Sequence, residues 1–468
     1  MSKSESTDHV RSPDHVRSTD SRALARAIRL PHATAMVVGI ILGVSVFIQS
    51  SEITRLVPST RGVMLAWLAA GVLTVCGALV CAELTVLYPQ TGGVYVFLKE
   101  IFCPALGFLW GWAMFWSVHS GIIAAIAVVL AHYVAYFVPI GEAAIRTLAV
   151  TAILLLSAIN YLGVKLGSGV QLALTIAKLA AVFLLVALLF WFGGEAHRTL
   201  PAEVHVSTSF VPFGLAVAAG LFAFGGWHMV TYSAGETQEP QRTIPRALLA
   251  GTLIVTICYI LLNAAYQYVL PLAEVAGSTH VAADATQRVL GSRAGNAIAA
   301  LVVLSALGAL NGIILAGPRV YYAMANDGLI FRWMGAIHPS RQTPHLAIMA
   351  QALWSSVLVA TNGYRVLYSR VVYTEWFFFA LLAIGLFVLR RRGKYNPTVL
   401  RGGYPMVPAV FVVAALGIAV NQCIDNPGDS ALGLGLLLIG LPVYFVWSQR
   451  AAFRSPDHPI SGSPDADS

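Results

Sequence analysis

Charged residues are scarce in this chain: Asp, Glu, Lys and Arg make up 11% of its 468 residues, whereas 57% are hydrophobic. A soluble protein carries about 25% charged residues, so a soluble globular domain is excluded. Apolar runs of ~20 residues, long enough to cross a bilayer as a helix, recur along the whole sequence. The net charge of +8 therefore indicates contact with lipid headgroups rather than a nucleic-acid partner. The composition predicts a polytopic helical protein in a lipid bilayer.

Patterns that hold metals or perform catalysis are also missing. The five cysteines show no CxxC spacing, and the twelve histidines show no HExxH spacing. These spacings indicate neither a disulfide framework nor a metal site. A membrane enzyme needs a nucleophile–base pair or metal ligands, and an ion channel needs repeated rings of carbonyls or charges. We find neither pattern, and we expect a protein that is not an enzyme and binds no cofactor and no metal.

The two ends of the chain lack long apolar runs, and no cleavable signal peptide is visible. Residues 1–33 are polar and contain the short duplication DHVRSPDHVRS. We expect a disordered cytoplasmic tail there and a second cytoplasmic tail at 449–468. The first apolar span then serves as an uncleaved anchor.

Twelve spans follow from the apolar runs and the breakers between them. They lie at 34–57, 63–88, 95–136, 145–162, 167–192, 211–235, 246–270, 297–324, 344–362, 366–389, 404–421 and 430–448. The third is too long for one crossing, so we expect it to begin with a cytoplasmic amphipathic piece. Lys and Arg are concentrated in the two tails and the even-numbered loops, which include RRRGK at 390–394. This asymmetry predicts that both termini are cytoplasmic.

Glycines interrupt two of these spans at matching positions. Span one contains GIILGVSVF, with Gly39 and Gly43, and span six contains FAFGGWHMV, with Gly225 and Gly226. These are the first spans of two five-span halves, which face opposite ways because each half has an odd number of spans. Interrupted helices at corresponding positions are typical of a transporter site, where free backbone groups bind a carboxylate and an ammonium group. The alternative is that these glycines only allow close helix packing.

Six motifs occur in order along the chain: ALVCAELTVLYPQTGGVYVFL, LTIAKL, FAFGGWHMVTYSAGETQEPQRTIPRA, YILLNAAYQYVL, GALNG and PRVYYAMANDG. From about residue 33 to residue 447 the chain thereby resembles the amino acid–polyamine–organocation superfamily, in its L-type amino acid transporter branch. The resemblance implies an all-α membrane protein with twelve transmembrane helices. They form a five-plus-five inverted repeat in which helices 1 and 6 are discontinuous. The expected repeats are 34–192 and 211–389, with two extra spans at 404–448.

The resemblance also implies a substrate site at the first interrupted helix. The family pattern G-x-I-I-G-S-G-I-F falls on residues 39–47, where the central G-S-G is replaced by Gly43-Val44-Ser45. The replacement removes a hydroxyl and adds bulk, which favours a substrate that is smaller, differently posed or not an α-amino acid. The substrate-binding candidates in this span are Ile40, Ile41, Gly43, Val44 and Ser45.

The second interrupted helix matches the family pattern more directly. The resemblance makes Phe222 the gate aromatic and gives Trp227 a role in shaping the pocket. His228 follows, where members that carry neutral amino acids often have asparagine. The substrate-binding candidates in this span are Phe222, Gly225, Gly226, Trp227 and His228.

Lys178 lies ~18 Å from the cytoplasmic end of span five, near the middle of the bilayer. A lysine there costs on the order of 3 kcal/mol on insertion scales and indicates a function. It matches the family's span-five lysine, which the resemblance implies takes the place of a bound sodium ion. We expect its ammonium to bridge the interruption in span one to span eight near Ser305 and Gly308. The alternatives are that it carries a coupled proton or snorkels to the interface.

Glu375 lies ~22 Å from the cytoplasmic end of span ten, and the resemblance places it at or beside a substrate-contacting position. Three interpretations stay open. The carboxylate attracts a cationic group and favours a basic amino acid or an amine; or it is protonated and hydrogen-bonded; or it faces water in an outer vestibule.

For the other acids near the cytoplasmic side we expect structural roles: Glu83 pairs with a basic loop residue, and Glu236 with Arg242 and Arg246 caps helices or forms an inner gate.

The resemblance implies sodium-independent secondary transport of neutral or broad-range L-amino acids across the plasma membrane, by exchange and alternating access. The alternatives are a basic amino acid or polyamine transporter, a proton-coupled symporter, and a receptor that binds without transport. Animal members of the branch pair with a glycoprotein through a cysteine between spans three and four. The corresponding loop here, VPIGEAAIR, has no cysteine. We therefore expect a stand-alone permease of prokaryotic type with no covalent heavy-chain glycoprotein.

Overall fold

The computed structural model describes residues 24–452 apart from residues 44, 136, 139, 199–208, 279, 292–293, 362–373 and 426. Within these residues the regular structure is helical. The α-helices are α1 Leu30–Ile41, α2 Ser45–Leu56, α3 Thr60–Leu87, α4 Val94–Ile101, α5 Pro104–Ala113, α6 His119–Ala135, α7 Glu142–Leu162, α8 Val164–Phe192, α9 Gly194–Arg198, α10 Phe210–Ala223, α11 Pro240–Val269, α12 Leu272–Gly277, α13 Val281–Leu290, α14 Ala294–Ala316, α15 Pro318–Asn326, α16 His345–Ala360, α17 Thr374–Arg391, α18 Met406–Asp425 and α19 Pro427–Ala452.

Many of these helices have the length and composition of membrane spans. Within the described residues, eight helical segments are long and apolar enough to cross a membrane: Thr60–Leu87, Pro104–Ala135, Glu142–Leu162, Val164–Phe192, Phe210–Glu236, Pro240–Val269, Asn296–Asn326 and Ser430–Ser448. Their outward faces carry large apolar side chains such as Leu184, Trp191 and Phe445. Helices suit such surroundings because each satisfies its backbone hydrogen bonds internally. The chain is therefore a multi-pass membrane protein.

Two of the predicted spans are interrupted where the glycines occur. In the first, α1 ends at Ile41 and α2 begins at Ser45. In the sixth, α10 ends at Ala223, and a 3₁₀ helix runs over Trp227–Glu236. The third predicted span begins with the separate short helix α4, because Pro104 starts a new helix two residues after the C-cap of α4.

The beginning of the described chain is more ordered than the sequence predicts. The backbone N–H of Ile28 donates to Glu236 O at 3.0 Å, and Gln238 N–H donates to Ile28 O at 2.9 Å. The side chain of Ile28 is fully buried. The predicted disordered tail therefore ends earlier than residue 33, because these residues find backbone partners at the end of the 3₁₀ helix. Residues 1–23 and 453–468 lie outside the described part.

Two buried glutamates have partners that the sequence analysis did not identify. Glu83 accepts three backbone hydrogen bonds, from Thr398 N at 2.8 Å, Val399 N at 2.7 Å and Leu400 N at 2.7 Å. The expected basic loop partner is thus replaced by backbone amides, which bind a carboxylate without the desolvation of a second charge. Three acceptor contacts join α3 to the segment between α17 and α18.

The second glutamate, Glu236, pairs with Arg319 rather than with Arg242 or Arg246. Arg319 Nε lies 2.6 Å from Glu236 Oε2, and Arg319 Nη2 lies 2.9 Å from Oε1, so the pair is bidentate. Both side chains are fully buried, and Arg319 also donates to the carbonyl of Leu315. This pair connects the 3₁₀ helix to α15 beneath the interruption in the sixth span.

We predict that Glu236→Gln lowers the free energy of unfolding by ~3 kcal/mol or more, since it leaves the Arg319 guanidinium buried without its counter-charge. Thermal melting in detergent measures the change. The matched control is Glu239→Gln, because Glu239 pairs with Arg242 at the surface, where both side chains are mostly exposed. Equal melting temperatures for the two variants would contradict the prediction.

Candidate functional site

A cavity of about 330 Å³ lies where the two interrupted spans meet. Pockets for small ligands begin at ~300 Å³, so the cavity has room for a small molecule. Nine of the predicted substrate-binding residues line it: Ile40, Ile41, Gly43, Ser45, Phe222, Gly225, Gly226, Trp227 and Glu375. Val44 lies outside the described residues. The cavity therefore brings together candidates from the first, sixth and tenth predicted spans.

The first interruption presents a helix N-terminus to this cavity. Helix α2 begins at Ser45, and Gly43 N–H turns back to donate to Ile41 O at 2.7 Å. The first amides of a helix have no partner within the helix and carry part of its positive dipole. Ser45 Oγ lies 3.4 Å from Ala223 O, at the end of α10. This end of α2 has the polarity to bind a carboxylate.

The second interruption requires glycine. Gly226 has φ +91°, and a Cβ placed on it would lie 2.4 Å from Ile40 Cγ2. An L side chain is strained at this φ, and it would collide with α1 as well. Gly225 N–H is bonded to Phe222 O at 3.1 Å. The glycine therefore allows the backbone after α10 to lie directly against α1 at the cavity.

A tyrosine from α11 connects the two interruptions. Tyr259 Oη lies 2.9 Å from Ile41 O and 3.0 Å from Ala223 O, the last residues of α1 and α10. Its ring is held edge-on by Trp67 at 5.1 Å and by Phe224 at 4.9 Å between ring centroids. A hydroxyl has one proton to donate, so Tyr259 stabilises one carbonyl at a time and can serve either. Tyr259 therefore makes its interhelical hydrogen bonds at the edge of the cavity.

Lys178 from α8 supplies the second polar bridge. Its Nζ donates to the carbonyl oxygens of Gly39 at 2.9 Å, Leu42 at 2.8 Å and Ser305 at 3.1 Å. The ammonium group has three protons, and each has an acceptor. A Cβ on Gly308 would lie 2.7 Å from this Nζ, so α14 needs a glycine beside the lysine. The bridge from Lys178 to the interruption of the first span and to Ser305 and Gly308 of the eighth span is the one predicted from the sequence.

His228 stands apart from the other predicted binding residues, because it is not among the described residues that line the cavity. Its ring packs behind the wall, 4.8 Å from Phe379 and 5.6 Å from Trp227 between centroids. Its Nε2 lies 2.9 Å from Tyr232 Oη. The position of His228 suits the support of Trp227 rather than contact with a ligand.

Glu375 lines the cavity from α17. The side chain is 7% exposed, which disfavours an open aqueous vestibule. Its Oε1 is buried with no hydrogen-bond partner among the described residues. The carboxyl group thus differs from Lys178, whose polar atom is fully bonded.

Most residues of the cavity wall were not predicted from the sequence. The apolar lining includes Ile122, Ile126, Val129, Ala309, Ile313 and Phe379. Apolar residues within apolar spans carry no signal of their position, since lipid-facing and cavity-facing residues are alike.

Among the described residues, no three His, Cys, Asp or Glu side chains are grouped as metal ligands.

Comparison with known proteins places the chain in a family. Residues 28–445 match the family of amino acid permeases. The chain is 30% identical to the serine/threonine exchanger SteT of Bacillus subtilis over 93% of this chain and 99% of that protein. It is 28% identical to the mouse b(0,+)-type amino acid transporter 1 over 92% and 90% of the two chains, and 26% identical to the human cystine/glutamate transporter over 91% and 87%. The chain therefore belongs to the amino acid permease family, within the L-type branch of the amino acid–polyamine–organocation superfamily.

Proposed function

We propose that this protein exchanges neutral or broad-range L-amino acids across the plasma membrane, without sodium, by alternating access. The observation that supports the proposal is the meeting of two interrupted spans at one cavity. There the N-terminus of α2 offers amides to a carboxylate, and the ends of α1 and α10 offer carbonyls to an ammonium group. Relatives over nearly the full chain include an exchanger of serine and threonine.

The architecture that we propose is the one the sequence predicts. Twelve transmembrane helices form two inverted repeats at 34–192 and 211–389, followed by two spans at 404–448, with both termini in the cytoplasm. The separate helices α1 and α2 make up one discontinuous span, and α10 with the 3₁₀ helix makes up the other. The protein acts as a stand-alone permease, without a covalent heavy chain.

Each part of the cavity then has a role in binding. Gly43, Ser45, Gly225 and Gly226 bring the backbone close to the substrate, and Val44 belongs to the same segment. Phe222 is 36% exposed on the cavity side and acts as the aromatic gate, while Ile40, Ile41 and Trp227 shape the pocket. His228 holds Trp227 in place. Substrate size and side chain are selected by the apolar wall.

Lys178 replaces a bound cation in this mechanism. A single ammonium group joins two carbonyls of the first span to one of α14, which is the arrangement a coordinated cation would produce. A protein whose own ammonium group occupies this position does not need sodium to hold α1 against α14. Sodium independence follows from this substitution.

The proposed function predicts saturable counterflow. Proteoliposomes loaded with an unlabelled neutral L-amino acid will accumulate external radiolabelled L-leucine or L-serine in sodium-free buffer, and empty liposomes will not. Exchange requires a substrate on both sides, so omission of the internal amino acid serves as the control. Uptake that does not saturate would indicate a channel, and saturable binding without counterflow would indicate a receptor.

We expect Gly226→Ala to lower the exchange rate at least about tenfold, because the left-handed backbone and the contact with Ile40 together cost more than ~1.4 kcal/mol. The matched control is Gly214→Ala in α10, where a Cβ would meet nothing within 4 Å. Counterflow rates, normalised to the amount of reconstituted protein, decide the outcome. Equal rates for both variants would remove Gly226 from the site.

We expect Lys178→Ala to reduce exchange strongly and to change its asymmetry between the two membrane faces, since three buried carbonyls lose their donor. Lys165→Ala is the control, because Lys165 lies exposed at the start of the same helix. The measurement compares inward and outward substrate affinities in oriented proteoliposomes. If exchange and asymmetry are unchanged in Lys178→Ala, the proposed role of Lys178 is wrong.

A further inference from the structure

Among the described residues, every buried charged side chain but one is compensated by its contacts. Five charged side chains are buried in the described part of the chain: Glu83, Lys178, Glu236, Arg319 and Glu375. Glu83 accepts three backbone amides, Lys178 donates to three carbonyls, and Glu236 forms a bidentate pair with Arg319. Burying an ionised carboxylate without such partners is very costly. Glu375 Oε1 has no hydrogen-bond partner among the described residues, so a bound substrate can supply one.

The uncompensated carboxyl group is also the acidic group of the proposed substrate cavity. Glu375 lines the cavity together with Trp376 and Phe379 of the same helix, so its partner can enter with the substrate. The backbone of the two interrupted spans already offers groups for the carboxylate and ammonium of an amino acid. A second positive group, at the end of the substrate's side chain, would find Glu375 and aromatic faces, both of which attract cations.

No lysine, arginine or histidine of the described residues forms an ion pair with Glu375. Tyr232 lies close enough to Glu375 for the two groups to interact electrostatically. Its Oη is 2.9 Å from His228 Nε2. On the helices packed against α17, Glu83 is bonded to amides, and Lys99 is bonded to Asp327 Oδ2 at 2.8 Å. The other described titratable side chains of α3, α4 and α18 are Arg61, Cys76, Cys81, Tyr95, Glu100 and Cys423.

From these contacts we infer that Glu375 is a cation subsite of the substrate cavity, at which a proton and the cationic side chain of an amino acid such as lysine compete. With a neutral substrate, the carboxyl group keeps its proton and stays neutral. When a cationic side chain binds, the O–H bond of Glu375 breaks, the proton leaves to water, and the carboxylate pairs with the ammonium. The cavity is neutral at this position in both states. This inference rests on the proposed function and extends its substrates to basic amino acids.

Competition between the proton and the lysine side chain fixes the direction in which the affinity for lysine changes with pH. As pH falls, the proton occupies Glu375 more fully, so lysine binds more weakly, by up to about tenfold per pH unit. A neutral amino acid of similar shape is not affected by this exchange. L-norleucine is a suitable comparison because it resembles lysine without the terminal ammonium group.

The experiment measures inhibition of L-leucine counterflow by L-lysine and by L-norleucine, at two external pH values about two units apart. In the wild type, the ratio of the lysine to the norleucine inhibition constant rises on acidification. In Glu375→Gln this ratio is about tenfold or more higher at the upper pH and no longer depends on pH, because a charge-assisted contact is lost. Glu142→Gln, the same change at an exposed residue of α7, keeps the wild-type ratios.

A second measurement covers the case in which Glu375→Gln does not support counterflow. Calorimetry of wild-type protein in two buffers with different ionisation enthalpies counts the protons released on binding: about one for L-lysine and none for L-norleucine. Equal ratios in wild type and Glu375→Gln, or equal proton release for both ligands, would overturn the cation subsite. Absence of leucine counterflow in the wild type would instead contradict the proposed function, so the two failures are distinguishable.

Discussion

The need to satisfy backbone polar groups inside a bilayer governs this structure. A continuous helix satisfies its own amides and carbonyls, whereas an interrupted helix leaves several of them free in surroundings where an unpaired group costs several kcal/mol. The protein interrupts two helices and then bonds the groups that this exposes. Lys178 takes the carbonyls of Gly39 and Leu42, and Tyr259 lies at those of Ile41 and Ala223. The cavity lies at these two interruptions, where we propose that a zwitterion binds.

The same rule explains the distribution of charge. Each buried ion costs free energy unless its partner is as well placed as water would be. The bidentate pair of Glu236 with Arg319 and the three amides on Glu83 lie away from the cavity, and they hold helices together. Glu375 is the buried charge without a partner on Oε1 among the described residues, and it lines the cavity that we propose for the substrate. The charges that hold helices together have partners within the protein, whereas we propose that the partner of Glu375 is the bound substrate.

Much of this arrangement could be predicted from the sequence, and the limits have physical causes. The spans follow from apolar length, and both interruptions follow from glycines, because a membrane helix has little other reason to contain Gly225 and Gly226 side by side. Lys178 and its neighbours in α14 followed from the cost of a lysine at mid-bilayer together with the resemblance. The pairing of Glu236 with Arg319 did not follow, since the two residues are 83 positions apart and nearer basic residues were available. The amides around Glu83 leave no mark on the sequence either, because every residue except proline has one.

The contacts of α8 limit how α1 can move in an alternating-access cycle. Gln171, Thr175 and Lys178 lie on one face of α8 at helical spacing, and all three donate to carbonyls of the first span, two of them to Ala35 O at 3.3 and 3.0 Å. Gln171 is fixed in turn by Asn311, whose Nδ2 lies 2.9 Å from its Oε1. A movement of α1 away from α8 would break these bonds together, at roughly 1 kcal/mol each. A total of a few kcal/mol matches the free-energy difference between two states that a ligand can shift, so this row of donors is strong enough to hold one state and weak enough to let the other form.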